Sequence, residues 1–301
     1  MKKVLIDTDC GIDDAIAILM ALACKDFEVV GITTVSGNVY VDKVNQNVLR
    51  LLSFLNREDI PVFRGASGPL SQKPVRAETI HGKDGLGSVF LPETQKSLES
   101  QNAIEGIYLL AKQNPGLTII TLGPLTNIAM AVNLYPELNH LMGNIIAMGG
   151  AIDRGNVTRY AEFNFYADPE SVQYVLNTPI PMEIIPWDPC AEQMFTEEEI
   201  KALIPENNRV GDLFLSLQQL PFSFVEKYYG VRSTILPDPC AMAYAIDEKV
   251  ALRKLVGDIR MELNCNTHRG ETVQCEGDRM NIILKLDRIK FLNILKTILI
   301  L

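Results

Sequence analysis

The sequence predicts an α/β fold, a mostly parallel central sheet flanked by helices, on three observations. Short apolar runs alternate with longer amphipathic stretches from residue 4 to residue 186. Runs such as VLI and TIIT carry no charged residue, as strands buried on both faces require. No linker or internal repeat divides the chain, so residues 1–301 read as a single domain.

The elements follow in order. VLI at 4–6 reads as a strand and AIAILMALA at 15–23 as a helix. FEVVGITTV at 27–35 is β-rich and reads as the second strand. KVNQNVLRLLSFL at 43–55 has apolar spacing near 3.6 and reads as a helix, and IPVFRG follows as a third strand. LTIITL at 117–122 is a strand, LTNIAMAVNLY at 125–135 a helix, and NIIAMGG (144–150) and PMEIIP (181–186) are further strands. From about 196 to 235 the pattern turns helical and polar, which suggests a helical excursion or lid. The terminal LNILKTILIL is too short to span a bilayer and is interrupted by Lys296, so it reads as a helix packed on the body.

Composition bounds the function. Apolar residues make up 47% and charged residues 22%, enough for a large packed core. The net charge of -9 argues against nucleic acid or an anionic membrane as the main partner and favours a cation. The six cysteines (10, 24, 190, 240, 265 and 275) form no CxxC pair and read as reduced thiols of a cytoplasmic protein. The N-terminal apolar run ends at Asp7, too early for a signal peptide.

In parallel sheets of this kind, ligands sit beyond the carboxyl ends of the strands. That rule gathers DTDCGIDD (7–14), SGN (36–38), LGPLTN (122–127) and MGG (148–150) into one crevice. Asp7, Asp9, Asp13 and Asp14 fall within eight positions there. Crowded carboxylates repel one another unless a cation or protons neutralise them. Any one of them could simply serve the start of the following helix, worth ~0.3–1 kcal/mol. Four together mark a site for a hard cation, calcium or magnesium.

The motifs then become specific. DTDCGIDDAIAI at the N-terminus, TIHGKDGLG at 79–87, GPLTNIAMA at 123–131, MGG at 148–150, GNVTRYAEFNFYADPES at 155–171 and LPDPCAMAY at 236–244 resemble, in order, those of the inosine-uridine-preferring nucleoside hydrolases. The resemblance implies a Rossmann-like sheet and hydrolysis of the N-glycosidic bond of ribonucleosides to ribose and free base. It implies one Ca2+ ion held by Asp9, Asp14, Asp238 and the backbone carbonyl of Leu122. A water on that ion would be the nucleophile, activated by Asp13 as general base. Asn38, Asn156, Glu162 and Asn164 would hold the ribose, with Met148 packed beside it and Tyr229 near the base. Asp7 would support the site from behind. Relatives are commonly homo-dimers or homo-tetramers, and the same is expected here, with a small-molecule ribonucleoside as the only other partner.

Three positions depart from the family pattern. Pro237 stands where the inosine-uridine branch has a histidine assigned to the leaving group, and proline cannot donate a proton. His81, in TIHGKDG, is then the candidate for contacting the base, among only three histidines. The single Trp187 does not fall at a base-sandwich position of the purine-specific members and reads as sheet edge or core. Cys10 replaces a common proline, and the motif segments could bring it close to Cys240. Two other readings use parts of the pattern. A binding protein with little turnover would explain Pro237. A phosphatase of the haloacid dehalogenase type also begins with a strand and DxD, and GDRMN at 277–281 superficially resembles its acidic motif.

Overall fold

The structure is a computed structural model that describes residues 1–264 and 266–301; Cys265 lies outside the described residues. Ten strands occur among the described residues: β1 Lys2–Thr8, β2 Phe27–Thr34, β3 Val62–Phe63, β4 Leu117–Thr121, β5 Met142–Met148, β6 Met182–Ile185, β7 Phe195–Thr196, β8 Ser233–Thr234, β9 Ala251–Met261 and β10 Thr272–Leu286. Eight form one sheet in the order β3-β2-β1-β4-β5-β6-β10-β9. All neighbours are parallel except the β9–β10 hairpin, which is antiparallel.

The strand alternation explains the unbroken apolar runs. Val4 and Ile6 point into one apolar cluster and Leu5 into the other. In the same way Ile120 and Ile119, then Ile146 and Ile145, divide between the two faces. Burying each such side chain contributes roughly 1.5–3 kcal/mol. The helix Ile12–Ala23 covers the first face with the helix Pro237–Ile246, and both are nearly all buried. Helices Ala103–Gln113, Thr126–Leu134 and Pro169–Leu176 cover the second.

The expected helical excursion consists of helices Glu197–Leu203 and Arg209–Tyr229. Its two ends are tied by the β7–β8 ribbon, where Phe195 pairs with Thr234. The C-terminal segment packs as expected, with Phe291, Leu295 and Ile298 buried. Among the described residues no helix is long and apolar enough to cross a membrane.

Two features differ from the sequence expectation. IPVFRG contributes only Val62 and Phe63 to the sheet, because it is the edge strand. The long β9–β10 hairpin is not anticipated at all. Its strands are rich in exposed charged residues such as Arg253, Asp278 and Arg279, which mask the apolar alternation.

What positions the site is the strand order. The chain runs outward from β1 to β3, then returns to place β4 on the other side of β1. Loops leaving β1 and β4 therefore diverge, and a crevice opens at their carboxyl ends.

Candidate active site

A cavity of 610 Å³ lies at that crevice. Its floor is made by Asp13, Asn38, Leu122, Met148, Glu162, Asn164 and Asp238. Ile80, Trp187, Phe224, Val225 and Tyr229 line the outer part, together with Pro221 from inside the Arg209–Tyr229 helix.

The aspartates gather, but the trio that meets contains Asp13 in place of Asp9, which the resemblance names with Asp14 and Asp238 as a ligand. Among the described residues, carboxylate oxygens of Asp13, Asp14 and Asp238 lie within 4.8 Å of one another. Asp14 opens the Ile12–Ala23 helix and accepts from Gly11 N–H at 2.8 Å, Thr8 Oγ1 at 2.6 Å and Asn38 Nδ2 at 3.2 Å. Helix capping and site building are thus one interaction here. Asp9 is fully buried; its Oδ2 accepts from Asn38 N–H at 2.7 Å, while its Oδ1 has no partner. Asp238 arrives on the first turn of the Pro237–Ile246 helix, and its backbone hydrogen-bonds to Asp13.

Electrostatics show what this crowding costs. Burial, then the nearby Asp14, push the Asp13 carboxyl up to about 7. Burial also raises Asp9 and Asp238 well above the usual range, with the neighbouring aspartates adding to it. Asp7 is raised to about 6 by burial, against hydrogen bonds from Asn127 and Thr33 that work the other way. Buried carboxylates without a counter-charge each cost several kcal/mol. The cluster therefore takes up protons or a cation. Its donors are all oxygen, as a hard dication requires, and the orphaned Asp9 Oδ1 is the kind of atom that such an ion satisfies. The Leu122 carbonyl accepts from Asn164 Nδ2 at 2.8 Å, which leaves it one further lone pair.

The polar residues expected to grip the sugar also shape the floor. Glu162 caps the Phe163–Ala167 helix and accepts N–H bonds from Gly150, Asn164 and Phe165. Burial holds its carboxyl up at about 7. Asn164 Nδ2 spans the Leu122 and Met148 carbonyls, and Met148 is 2% exposed beneath it. Asn156 and Tyr229 are exposed at the rim. Tyr228 points outward against Phe224 and does not line the cavity.

His81 reaches the floor from the loop over residues 78–88, where Gly82, Gly85 and Gly87 have φ of 77°, 89° and 63°. Only glycine adopts such angles without strain, which accounts for the three glycines of HGKDGLG. Ile12 N–H donates to His81 Nδ1 at 3.0 Å, and Asp13 Oδ1 lies 3.8 Å from the same nitrogen. Burial lowers its pKa to about 4. The ring is neutral at pH 7, and with Nδ1 accepting, its proton sits on Nε2. His140 and His268 are elsewhere; His268 stacks on Tyr160.

Gly11 explains how tightly this is packed. A Cβ there would lie 2.4 Å from His81 Nδ1 and 2.6 Å from Asn38 Nδ2. Gly11→Ala is therefore expected to lower kcat/KM by about tenfold or more through displaced site residues. The circular dichroism spectrum should stay native; unchanged kinetics would show that the loop yields freely.

Several further residues line the cavity. Trp187, which the sequence reads as sheet edge or core, packs partly buried against the first apolar cluster and also lines the cavity. Arg154, Phe163, Asp188 and Phe224 line it as well. Asp188 alone leaves a trace in the sequence, since WDPCA repeats the DPCA of the Asp238 segment. Cys240 interacts with Cys190, a neighbour not foreseen, and burial raises both the Cys10 and Cys190 thiols. GDRMN lies on β10 and lines no part of the cavity, so the phosphatase reading loses its second motif.

Comparison with known proteins agrees with this geometry. The model of the family described as inosine-uridine preferring nucleoside hydrolase matches residues 4–293. The pyrimidine-specific ribonucleoside hydrolase RihA of Citrobacter koseri is 36% identical over 245 residues, 81% of this chain and 78% of that protein. A plant nucleoside hydrolase, PpNRh1, superposes with a TM-score of 0.93 at 30% identity, covering 99% of this chain and 98% of its own. The purine-preferring ribonucleoside hydrolase of Gardnerella vaginalis also gives 0.93, at 27% identity over the same shares. With the family model spanning nearly the whole length and the aspartates of both ends of the chain meeting in one crevice, the protein belongs to the inosine-uridine preferring nucleoside hydrolase family.

Proposed function

We propose that the protein hydrolyses the N-glycosidic bond of ribonucleosides to ribose and free base, as one domain with one calcium ion. The observation that carries this reading is the meeting of Asp13, Asp14 and Asp238, of which Asp13 and Asp238 line the cavity, with the buried Asp9, one oxygen unpartnered, close enough to feel Asp14 and Asp13. Asp9, Asp14, Asp238 and the Leu122 carbonyl would hold the ion. When bound, it supplies the charge that neutralises these carboxylates and orders a water and the sugar hydroxyls.

Asp13 lines the cavity, and its own role is proton transfer. It takes the proton of the attacking water, a task suited to a carboxyl tuned toward the operating pH. The anionic floor favours the oxocarbenium-like sugar of the transition state. Asn38, Asn156, Glu162 and Asn164 orient the ribose, Met148 packs under it, and Tyr229 closes over the base from the lid helix. Asp7, behind the floor, orders the strand ends through Thr33 and Asn127. The reading extends to a cytoplasmic homo-dimer or homo-tetramer, in keeping with free thiols at every described cysteine.

His81 lines the cavity, and with Nδ1 taken by the Ile12 amide its Nε2–H is the group that would donate to the substrate. A neutral imidazole is too weak an acid to protonate the base outright, so it stabilises the departing base by hydrogen bonding. His81→Ala is expected to slow ribonucleoside hydrolysis by ~10²-fold while sparing p-nitrophenyl riboside, whose leaving group needs no assistance. Equal losses on both substrates would contradict that role.

The test of the whole reading is a panel of ribonucleosides assayed for ribose release with and without a chelator. The relatives are named for pyrimidine and for purine preference, so the panel spans both. Release on at least one substrate, abolished by chelation and restored by calcium, is expected. Pro237, which lines the cavity without a donor, favours one second reading, a nucleoside-binding protein with little turnover. Tight binding without ribose release in the calcium-loaded protein would establish that instead.

A further inference from the structure

Asp188 is one of three cavity-lining carboxylates, with Asp153 and Glu192, that the proposed mechanism does not use. It lies in the first turn of the short helix Trp187–Ala191, within the same Asp-Pro-Cys-Ala sequence that carries Asp238. The two helices meet through the Cys190 and Cys240 thiols. Their aspartates face different partners. Asp238 turns to Asp13 and Asp14. Asp188 accepts three consecutive backbone N–H groups: Ile152 on Oδ2 at 2.7 Å, and Asp153 and Arg154 on Oδ1 at 2.9 and 3.0 Å.

Those amides belong to the leg that leads from β5 to Asn156. The leg has no helical or strand bonding of its own. Its start is tied where Trp187 N–H donates to the Gly150 carbonyl at 2.9 Å. From Gly155 onward the loop closes on itself, with Gly155 and Asn156 N–H bonded to the Arg159 and Ala161 carbonyls. Asn156 Oδ1 accepts from Phe163 N–H at 2.9 Å, which leaves Nδ2 for the cavity that Asn156 lines. Between these two anchored ends, Asp188 holds the backbone of residues 152–154, while the Ile152 side chain packs on the second apolar cluster.

We propose that Asp188 is a positioning residue that presents Asn156 to the substrate by holding the backbone of residues 152–154; this rests on the ribonucleoside hydrolase reading. A carboxylate fits the task because two acceptor oxygens can serve three donors converging from one turn. Without it, the amides of residues 152–154 lose their acceptor and the leg is fully ordered only when substrate binds. The cost then falls on the ground state and the transition state alike, and appears in KM more than in kcat.

The experiment is a double-mutant cycle on Asp188 and Asn156, read as kcat and KM for the ribonucleoside that the wild type hydrolyses fastest, with melting temperatures alongside. Asp188→Ala is expected to raise KM by about tenfold and change kcat by less than about threefold. Asp188→Asn keeps one carbonyl oxygen for two of the amides and is expected to recover KM to within about threefold of wild type. In an Asn156→Ala background, either substitution is expected to add less than about twofold, because its route to substrate is already removed. An unchanged KM, or effects that multiply in the double variant, overturns the proposal. A loss of melting temperature with KM intact likewise makes Asp188 merely structural. If Asp188→Ala does not fold, the Asp188→Asn arm carries the same cycle. If the wild type releases no ribose from any nucleoside, the hydrolase reading fails, and the cycle is read in nucleoside Kd, where the same non-additivity is required.

Discussion

Asp13→Asn is expected to lower kcat by about 10³-fold or more while leaving the protein folded and able to bind nucleoside, because general-base assistance contributes ~10²–10⁴ and the asparagine keeps the size but not the basicity. The same substitution carries a second signature. Asp13 is held at about 7 by burial and by Asp14, so it adds to the repulsion among the site acids. Removing its charge should raise the melting temperature of the chelator-treated protein. A variant that loses activity and also melts lower would point to a structural role. One that retains most of its kcat would remove Asp13 from the mechanism and leave Asp9 or Asp238 to be tested as the base.

The second large effect is on stability. Burial places the carboxyls of Asp7 at about 6 and of Asp13 and Glu162 at about 7, against about 4 in an unfolded chain. The folded protein thus holds these protons more tightly than the unfolded chain does. Their contribution to stability is complete below about pH 4 and is lost as pH rises through about 6 to 7. Between pH 5 and pH 8, the metal-free protein is expected to lose on the order of 5 °C in melting temperature. Calcium should restore most of that loss at pH 8 and do little at pH 5, since the ion supplies the counter-charge that protons supply in acid. Thermal melts across this range, with chelator or with calcium, make the check. A flat or rising melting temperature in chelator would show that the carboxylates are already compensated within the protein. Surface pairs such as Arg279 with Asp258, whose carboxyl is lowered, work in the opposite sense but outside this window.

Much of this was legible in the residues. The strands β1, β2, β4, β5 and β6 were legible because burial on both faces leaves no charged position and favours β-branched residues in a run such as LTIIT. Their alternation with helices specified a parallel sheet, and the parallel sheet specified where the loops converge. Asp9, Asp13 and Asp14 stood out because like charges are rarely grouped without a purpose. The β9–β10 hairpin was not legible, since an exposed edge hairpin keeps charged residues that hide its period. The cavity face of Trp187 was not legible, because an aromatic residue beside a strand looks the same whether it meets a core, a cavity or, as here, both. Cys240 found Cys190 because two distant helices meet, a fact with no local signature.

By itself, the sequence determined the class of fold, the acidic cluster, and the residues proposed to hold metal and sugar. These follow from local period, charge and motif order, which one segment at a time can carry. The tertiary structure alone decided that Asn38 organises Asp9 and Asp14, that His81 is held neutral by the Ile12 amide and its burial, and that Asp188 grips three amides of another loop. In each case a side chain meets the main chain of a remote segment. Every residue type has that main chain, so only the folded geometry can say which one is met.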